Sequence, residues 1–275
     1  MKKTALLAAI TLASTIYGND KPPHLSLLLQ YANILVAQPS QTYMQSKDKK
    51  QSYHVAMDVF LSSSYNIVNV PISYIYNNKF GISCYIPYVE SNLEHTQKQS
   101  SLGDTTVEIS FNGGKFDKEI QDENNIFGLR YTFATGSKSK NLTATSDSIA
   151  IFWDSTYVLN NQWSMFGSLL WNFYLDDTTI NGTSYELGSE DILFFGGKYK
   201  GAFNNTTNLA AKLNWQGSYN EIPEENYDMV DITVEAESSK LIKNFPCKVG
   251  IKLPIWSNDE VKNEVMFFVG VSSSF

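Results

Sequence analysis

The chain has 275 residues, 43% of them hydrophobic, with 16 Tyr, 16 Phe and 5 Trp. Its 21 basic residues against 28 acidic ones give a formal net charge of −7, which argues against a nucleic-acid partner, because phosphate binding needs a basic footprint. Two cysteines, Cys84 and Cys247, make neither a metal-ligand spacing nor a disulfide framework.

The first segment, MKKTALLAAITLASTIYGND, has two lysines, an uncharged apolar run from Ala5 to about Ala13, then small and polar residues. That is the layout of a secretory signal peptide, which we place at residues 1–18 with cleavage between Ser14 and Gly18. Removing Lys2 and Lys3 from the 21 basic residues leaves 19 against 28 acidic, near −9. Residues 19–52 come next. Pro22-Pro23 precedes LSLLLQYANILVA, where Leu25, Leu28, Leu29, Ala32, Leu35 and Val36 fit helical spacing. Gln30 and Asn33 interrupt it, and it falls short of the ~18 to 20 apolar residues of a membrane helix. This segment is expected to be an N-terminal arm, serving as a lumen plug, an extra strand or a periplasmic tail.

From Tyr53 onward, apolar and polar residues alternate with the period of a β-strand. A first strand is expected near Tyr53–Ser64, with a short connection at Tyr65-Asn66. In residues 67–90, Val68, Val70, Ile72, Tyr74 and Tyr76 share one face; Asn69, Pro71, Ser73 and Ile75 share the other. Asn77-Asn78-Lys79 is a tight turn, since asparagine tolerates left-handed backbone. Phe80, Ile82, Cys84, Ile86 and Tyr88 then resume the apolar face, completing a hairpin. Alternation returns at 107–111, 127–133, 149–157, 163–173, 193–199, 209–215, 230–234, 245–253 and 265–275. Twelve strands result; ten or fourteen would also close.

Strands of ~9 to 11 residues suit a tilted bilayer crossing, whereas ordinary strands average ~5 to 6. Short connections (77–79, 160–162, about 203–206, and near Lys243) alternate with long ones (90–103, 136–147, 176–190, 217–227 and 257–263). The exceptions are the long segment 114–125 and the short first connection. A soluble sandwich also alternates, but strand length and the aromatics Tyr76, Phe80, Trp163 and Phe245 near strand ends favour an interfacial girdle. The expected fold is all-β, a closed transmembrane antiparallel barrel over 53–275. Its final strand, VMFFVGVSSSF, ends on Phe275, which resembles the recognition signal of the barrel-assembly machinery.

With the apolar face toward lipid, the other face lines a lumen. Its acids are Asp58, Glu108, Asp154, Asp231, Glu235 and Glu237; its bases are Arg130, Lys198, Lys200, Lys212, Lys248 and Lys252. Both signs are equally represented, so this is no single-charge filter. The strand with Asp231 and Glu235 lies between those with Lys212 and with Lys248 and Lys252, so opposite charges are expected to brace the wall or to set a transverse field in a pore. Phe60, Phe152, Phe166, Leu170, Tyr174, Phe194 and Phe268 also point inward. They pack on one another or on the arm, or form a patch for a hydrophobic solute. Asp176, Asp177, Glu186, Glu190, Glu221, Glu224, Glu225 and Asp228 are expected on solvated outer loops. Cys84 and Cys247 are expected to be lipid-facing free thiols. His24, His54 and His95 show no arrangement of nucleophile and base, so no enzyme activity is expected, and no cofactor or metal.

SLGDTTVEISF (101–111) resembles the Gly-Leu-Gly-Asp-plus-strand element of the outer-membrane transporters labelled "MetA-pathway of phenol degradation". GISCYIPYVES before it is similar to that family's strand with a Pro-aromatic-Val loop entry. LRYTFATGSKSKNL after it is similar to the family's strand, Pro-Thr-Gly and outer loop. Ser101 stands in place of the first glycine and Ala134 in place of proline. The likeness spans about 67–175 and carries Leu102, Gly103, Asp104, Thr135 and Gly136 as motif positions; as residues these are turn formers. It implies a barrel transporter for small hydrophobic or aromatic compounds. The expected function is passive uptake through the outer membrane of a Gram-negative bacterium, with a non-conducting structural or adhesive barrel as the alternative. Outer-membrane lipid and lipopolysaccharide, the assembly machinery and a small-molecule solute are the expected partners.

Overall fold

Alternating side chains require a sheet with two chemically opposite faces, and the chain builds one sheet closed on itself. The computed structural model describes residues 51–91, 99–114, 124–136, 146–180, 183–185, 188–205, 207–219, 226, 228–242, 245–258 and 264–275. The expected signal segment and all of the arm before Gln51 lie outside these. The strands are β1 (Gln51–Leu61), β2 (Tyr65–Tyr76), β3 (Phe80–Ser91), β4 (Gln99–Leu102), β5 (Thr105–Gly114) and β6 (Asn124–Phe133). Next come β7 (Ser148–Val158), β8 (Trp163–Tyr174), and a small hairpin of β9 (Thr178–Ile180) and β10 (Thr183–Tyr185). β11 (Ser189–Gly201), a one-turn helix α1 (Ala202–Asn205), β12 (Thr207–Tyr219), β13 (Asp228–Ile242), β14 (Phe245–Ser257) and β15 (Met266–Ser274) complete the chain.

Neighbouring strands pair antiparallel, and β1 pairs with both β2 and β15, which closes the ring. β4 continues β5 along the far end of β3, and β9–β10 stands apart, so twelve strands form the wall. The last residue seals the seam: Phe275 N–H donates to Tyr53 O at 2.9 Å and Tyr53 N–H to Phe275 O at 3.2 Å.

Burial is inverted relative to a soluble protein. In β1, Ser52, His54, Ala56, Asp58 and Phe60 are buried, while Tyr53, Val55 and Met57 are exposed. The same holds around the ring, with Ile82, Ile109, Leu129, Ile151, Leu193 and Val234 exposed. A continuous apolar exterior of this extent has no place in water, and a sandwich would bury it. Tyr76, Phe80, Trp163 and Phe245 are exposed at the end carrying the short turns, where Trp163 also packs on Tyr199 with ring centroids 4.9 Å apart. They form the aromatic girdle.

Short turns follow local chemistry. Asn77 and Asn78 both have φ of 52°, the left-handed pair a type I′ turn requires. The first long-end connection differs from expectation. It lies at Ser62–Ser64, and Tyr65 already begins β2 facing inward. Ser62 N–H and its hydroxyl both donate to Tyr65 O, at 2.9 and 3.1 Å, and this pulls the turn onto the serines.

Three inward glycines each stand directly opposite an inward phenylalanine: Gly128 with Phe152, Gly196 with Phe166, and Gly250 with Phe268. In each pair the ring lies across the glycine, where a Cβ would overlap it. The rings thus lie flat on the wall rather than projecting into the lumen.

Candidate functional site

The inner wall carries the chemistry. Period two sends Glu108 of β5 and Arg130 of β6 inward at directly paired positions, and Arg130 Nε reaches Glu108 Oε2 at 2.6 Å. Both side chains are almost wholly buried, 3% and 0% exposed. Tyr85 of β3 donates its hydroxyl to the same carboxylate at 3.2 Å, and the Arg130 guanidinium lies 4.5 Å over the Phe152 ring. A buried pair supported by a hydroxyl and an aromatic face is well compensated, and breaking one partner leaves a stranded charge.

Three further pairs lie on the opposite arc. Lys252 reaches Asp231 at 3.3 Å, on neighbouring strands β14 and β13. Lys198 of β11 meets Glu237 of β13 at 2.9 Å, passing over β12 where Ala210 leaves room. Lys248 of β14 pairs with Asp58 of β1 at 2.9 Å. That last pair crosses β15 at Gly270, which is opposite both Asp58 and Lys248; a Cβ there would overlap the Asp58 carboxylate and the Lys248 chain. The glycine is therefore what allows a strand-skipping bridge. Asn214 donates to Asp231 Oδ1 and to Thr233 Oγ1, the latter at 3.0 Å. Asp154 is buried on β7, facing in, and Lys212 sits 4.8 Å over the Phe194 ring. Glu235 takes an inward position opposite Gly250, and Lys200 is exposed near the short-turn end.

The inward apolar residues sort into packed groups. Phe152 and Leu170 join Ile75, Ile126, Ala150 and Ile192 in one cluster. Phe166 meets Phe194 edge-on at 6.2 Å, and Phe60 meets Phe268 at 5.9 Å. Tyr174 instead serves a polar group that the sequence did not assign. Its hydroxyl donates to Glu190 Oε2 at 3.0 Å, and Gln216 Nε2 donates to Glu190 Oε1 at 2.7 Å. Glu190 was expected on a solvated loop but is 0% exposed on the inner wall, because β11 begins at Ser189 and the parity of Ile192 and Phe194 turns it inward. Of the other expected loop acids, Asp176 and Asp177 are exposed, Asp228 is half-buried as the first residue of β13, and Glu186, Glu221, Glu224 and Glu225 lie outside the described residues.

The motif positions come together at the long-loop end. Gly136 N–H donates to Asp104 Oδ1 at 2.9 Å, the Thr135 hydroxyl donates to Gly103 O at 3.0 Å, and Thr105 N–H donates to Thr135 Oγ1 at 3.0 Å. Gly103 N–H bonds Pro87 O at 2.9 Å, and a Cβ on Gly103 would press Val89 at 2.9 Å. These residues clamp the β4–β5 kink to the end of β6, while Leu102 points outward. Their visible role is structural.

His54 is held at the short-turn end between the Ser52 and Ser274 hydroxyls, at 3.2 and 2.7 Å. Cys84 takes an outward position; Cys247 has outward parity but is 6% exposed, its Sγ 3.4 Å from Phe245 O. Their strands are separated by β2, β1 and β15, about 19 Å of wall at ~4.8 Å per strand and well beyond disulfide reach.

No protein-family model and no curated protein matches the chain. Solved structures do. An outer membrane channel from Pseudomonas putida F1 superposes with a TM-score of 0.62 at 12% identity, over 82% of this chain and 95% of that one. The fold is that of the outer-membrane β-barrels. The NanC porin (TM-score 0.54, 10% identity, 80% and 98% covered) and the KdgM porin (0.52, 14%, 81% and 99%) share it. Twelve strands lie between the eight that side chains can fill and the sixteen or more of wide aqueous pores.

Proposed function

We propose that this barrel is a channel for passive entry of small solutes, hydrophobic or aromatic ones in particular, across the outer membrane of a Gram-negative bacterium. One observation carries the proposal: the charged and hydrogen-bonding residues line the inside, interleaved with packed aromatic and aliphatic groups, while the outer face is apolar. Bilayer lipid and lipopolysaccharide then cover the exterior, and Phe275, exposed at the strand end, is offered to the assembly machinery. The likeness to channel barrels supports the same reading. In this proposal the wall residues brace and line the barrel, and no cofactor is required.

Vesicle swelling tests it. Vesicles carrying the full chain should swell in isotonic phenylalanine and in arabinose faster than empty ones, with phenylalanine ahead if aromatic solutes are preferred. The near-complete burial of Asp58, Glu108, Asp154 and Glu190 favours a second reading, a sealed structural or adhesive barrel. Swelling no faster than that of empty vesicles for both solutes would establish it instead.

A further inference from the structure

Charge on the inner wall is sorted by depth. With Glu190 included, the described inward strand residues hold seven carboxylates against six lysines and arginines, so the count favours neither sign by much. Five of the carboxylates, Asp58, Glu108, Asp154, Glu190 and Asp231, are buried in the wall, with two of the bases, Arg130 and Lys252. The groups left accessible are Lys198, Lys200, Lys212 and Lys248 against Glu235 and Glu237. The wall is acidic in its depth and basic at its surface. Reach explains much of this: a four-carbon stem carries a lysine ammonium clear of the backbone, while an aspartate keeps its charge at wall level. Glu108 and Glu190 are held back by donors of the wall itself, Arg130 and Tyr85 for one, Tyr174 and Gln216 for the other.

The accessible lysines sit together on one arc. Lys198 and Lys200 follow each other on the inner face of β11, ~6.8 Å apart at ~3.4 Å per residue. Lys200 is opposite Asn208, Asn208 opposite Glu237, and Glu237 opposite Lys248, so Lys200 and Lys248 share one level at the short-turn end. Lys212 stands two levels further in, opposite Gly196. Lys198 is bridged to Glu237 and Lys248 to the buried Asp58, each at 2.9 Å. Lys200, Lys212 and Glu235 make no ion pair among the described residues, which leaves two free cations to one free anion.

Aromatic rings adjoin the inner of these cations. Phe166 of β8 is half-buried and stands on the other side of Gly196 from Lys212, its ring across the glycine. Lys212 Nζ lies over the Phe194 ring, and Phe194 meets Phe166 edge-on. One level of the wall thus sets a ring surface and a free ammonium side by side.

We infer that the β11–β14 arc is the selecting stretch of the passage, and that it favours small organic anions over cations, a carboxylate bearing an aromatic ring above all. The inference rests on the channel reading above and names its solute class. Lysines lining a pore select anions, and the low-dielectric wall behind them focuses their field into the lumen. Lys200 and Lys212 attract the carboxylate in turn, and Phe166 receives the ring at the level of Lys212.

The test is the reversal potential of the refolded full chain in a planar bilayer under a gradient of dilute KCl, where screening is weak. The parent should pass chloride several-fold faster than potassium. Lys200→Gln with Lys212→Gln breaks no ion pair among the described residues, so this variant should unfold in urea like the parent while the chloride preference is lost. Lys79→Gln, exposed on its short turn, should leave the preference unchanged. With potassium benzoate facing KCl, benzoate should permeate better than cyclohexanecarboxylate, which has the same charge and a saturated ring. Phe166→Leu should remove that margin and keep the chloride preference. A parent that prefers potassium or neither ion, a double variant that keeps the chloride preference, or an equal loss in Lys79→Gln overturns the selecting arc. Equal permeation of the two carboxylates overturns the aromatic preference alone. If selection fails while current flows, the channel reading survives; if no current flows, both fall.

Discussion

Replacing Arg130 by Met should be among the most damaging single changes to the barrel wall. Glu108 has no exposed surface, and Arg130 Nε holds its Oε2 at 2.6 Å. Without the guanidinium, the Tyr85 hydroxyl at 3.2 Å still reaches that oxygen but brings no compensating charge. Removing one member of a buried pair costs about 3–5 kcal/mol, and loss of the contact with Phe152 adds roughly 0.5–1 kcal/mol. At about 1.4 kcal/mol per tenfold, the summed ~3.5–6 kcal/mol lowers the folded-to-unfolded ratio by roughly three-hundred- to twenty-thousand-fold. The assay is reversible urea unfolding of the refolded chain in lipid vesicles, followed by tryptophan fluorescence. The double variant Arg130→Met, Glu108→Leu removes both charges and keeps volume, so it should recover most of the loss. A single variant within about 1 kcal/mol of the parent, or a double variant no better than the single, would refute the reasoning.

The other predictions concern the same wall and its rims. Gly270→Val should cost at least the ~1–3 kcal/mol of an overpacked site, because the new Cβ displaces the Lys248–Asp58 bridge; Gly167→Ala, whose Cβ would meet nothing nearer than Phe194 O at 3.4 Å, should cost much less in the same unfolding series. Asp104→Ala should lower stability by about 1–2 kcal/mol through the lost bond to Gly136 N–H, with conductance unchanged; altered solute selectivity at unchanged stability would make the motif a solute contact instead. Phe275→Ala keeps the backbone bonds to Tyr53, so unfolding in vesicles should change little while assembly in cells slows; equal assembly rates would remove the role given to that residue.

Much of this architecture was legible because it depends on a local period. Alternation of Val68, Val70 and Ile72 against Asn69, Pro71 and Ser73 needs no long-range information, and Asn77-Asn78 announces its own turn. The parity that sent Asp58, Glu108, Arg130 and Asp231 inward is equally local. What the sequence hid depends on register. The Lys248–Asp58 bridge requires knowing that Gly270 lies between them on a third strand, and the clamp of Asp104 on Gly136 joins residues 32 positions apart. Glu190 was misread for a local reason. It sits in Gly188-Ser189-Glu190-Asp191, a run that reads as loop, although its parity with Ile192 already pointed inward. Residue 65 was misplaced similarly, because Tyr65-Asn66 looked more turn-like than the serines that make the turn.

The most direct measurement of the central claim is single-channel current of the refolded chain in a planar bilayer, with residues 19–50 present and with them deleted. A channel predicts discrete steps: in both forms if the lumen is open, or only in the shortened form if that segment plugs it. Silence in both forms, from protein shown to be folded and inserted, would contradict an aqueous path along the charged inner wall.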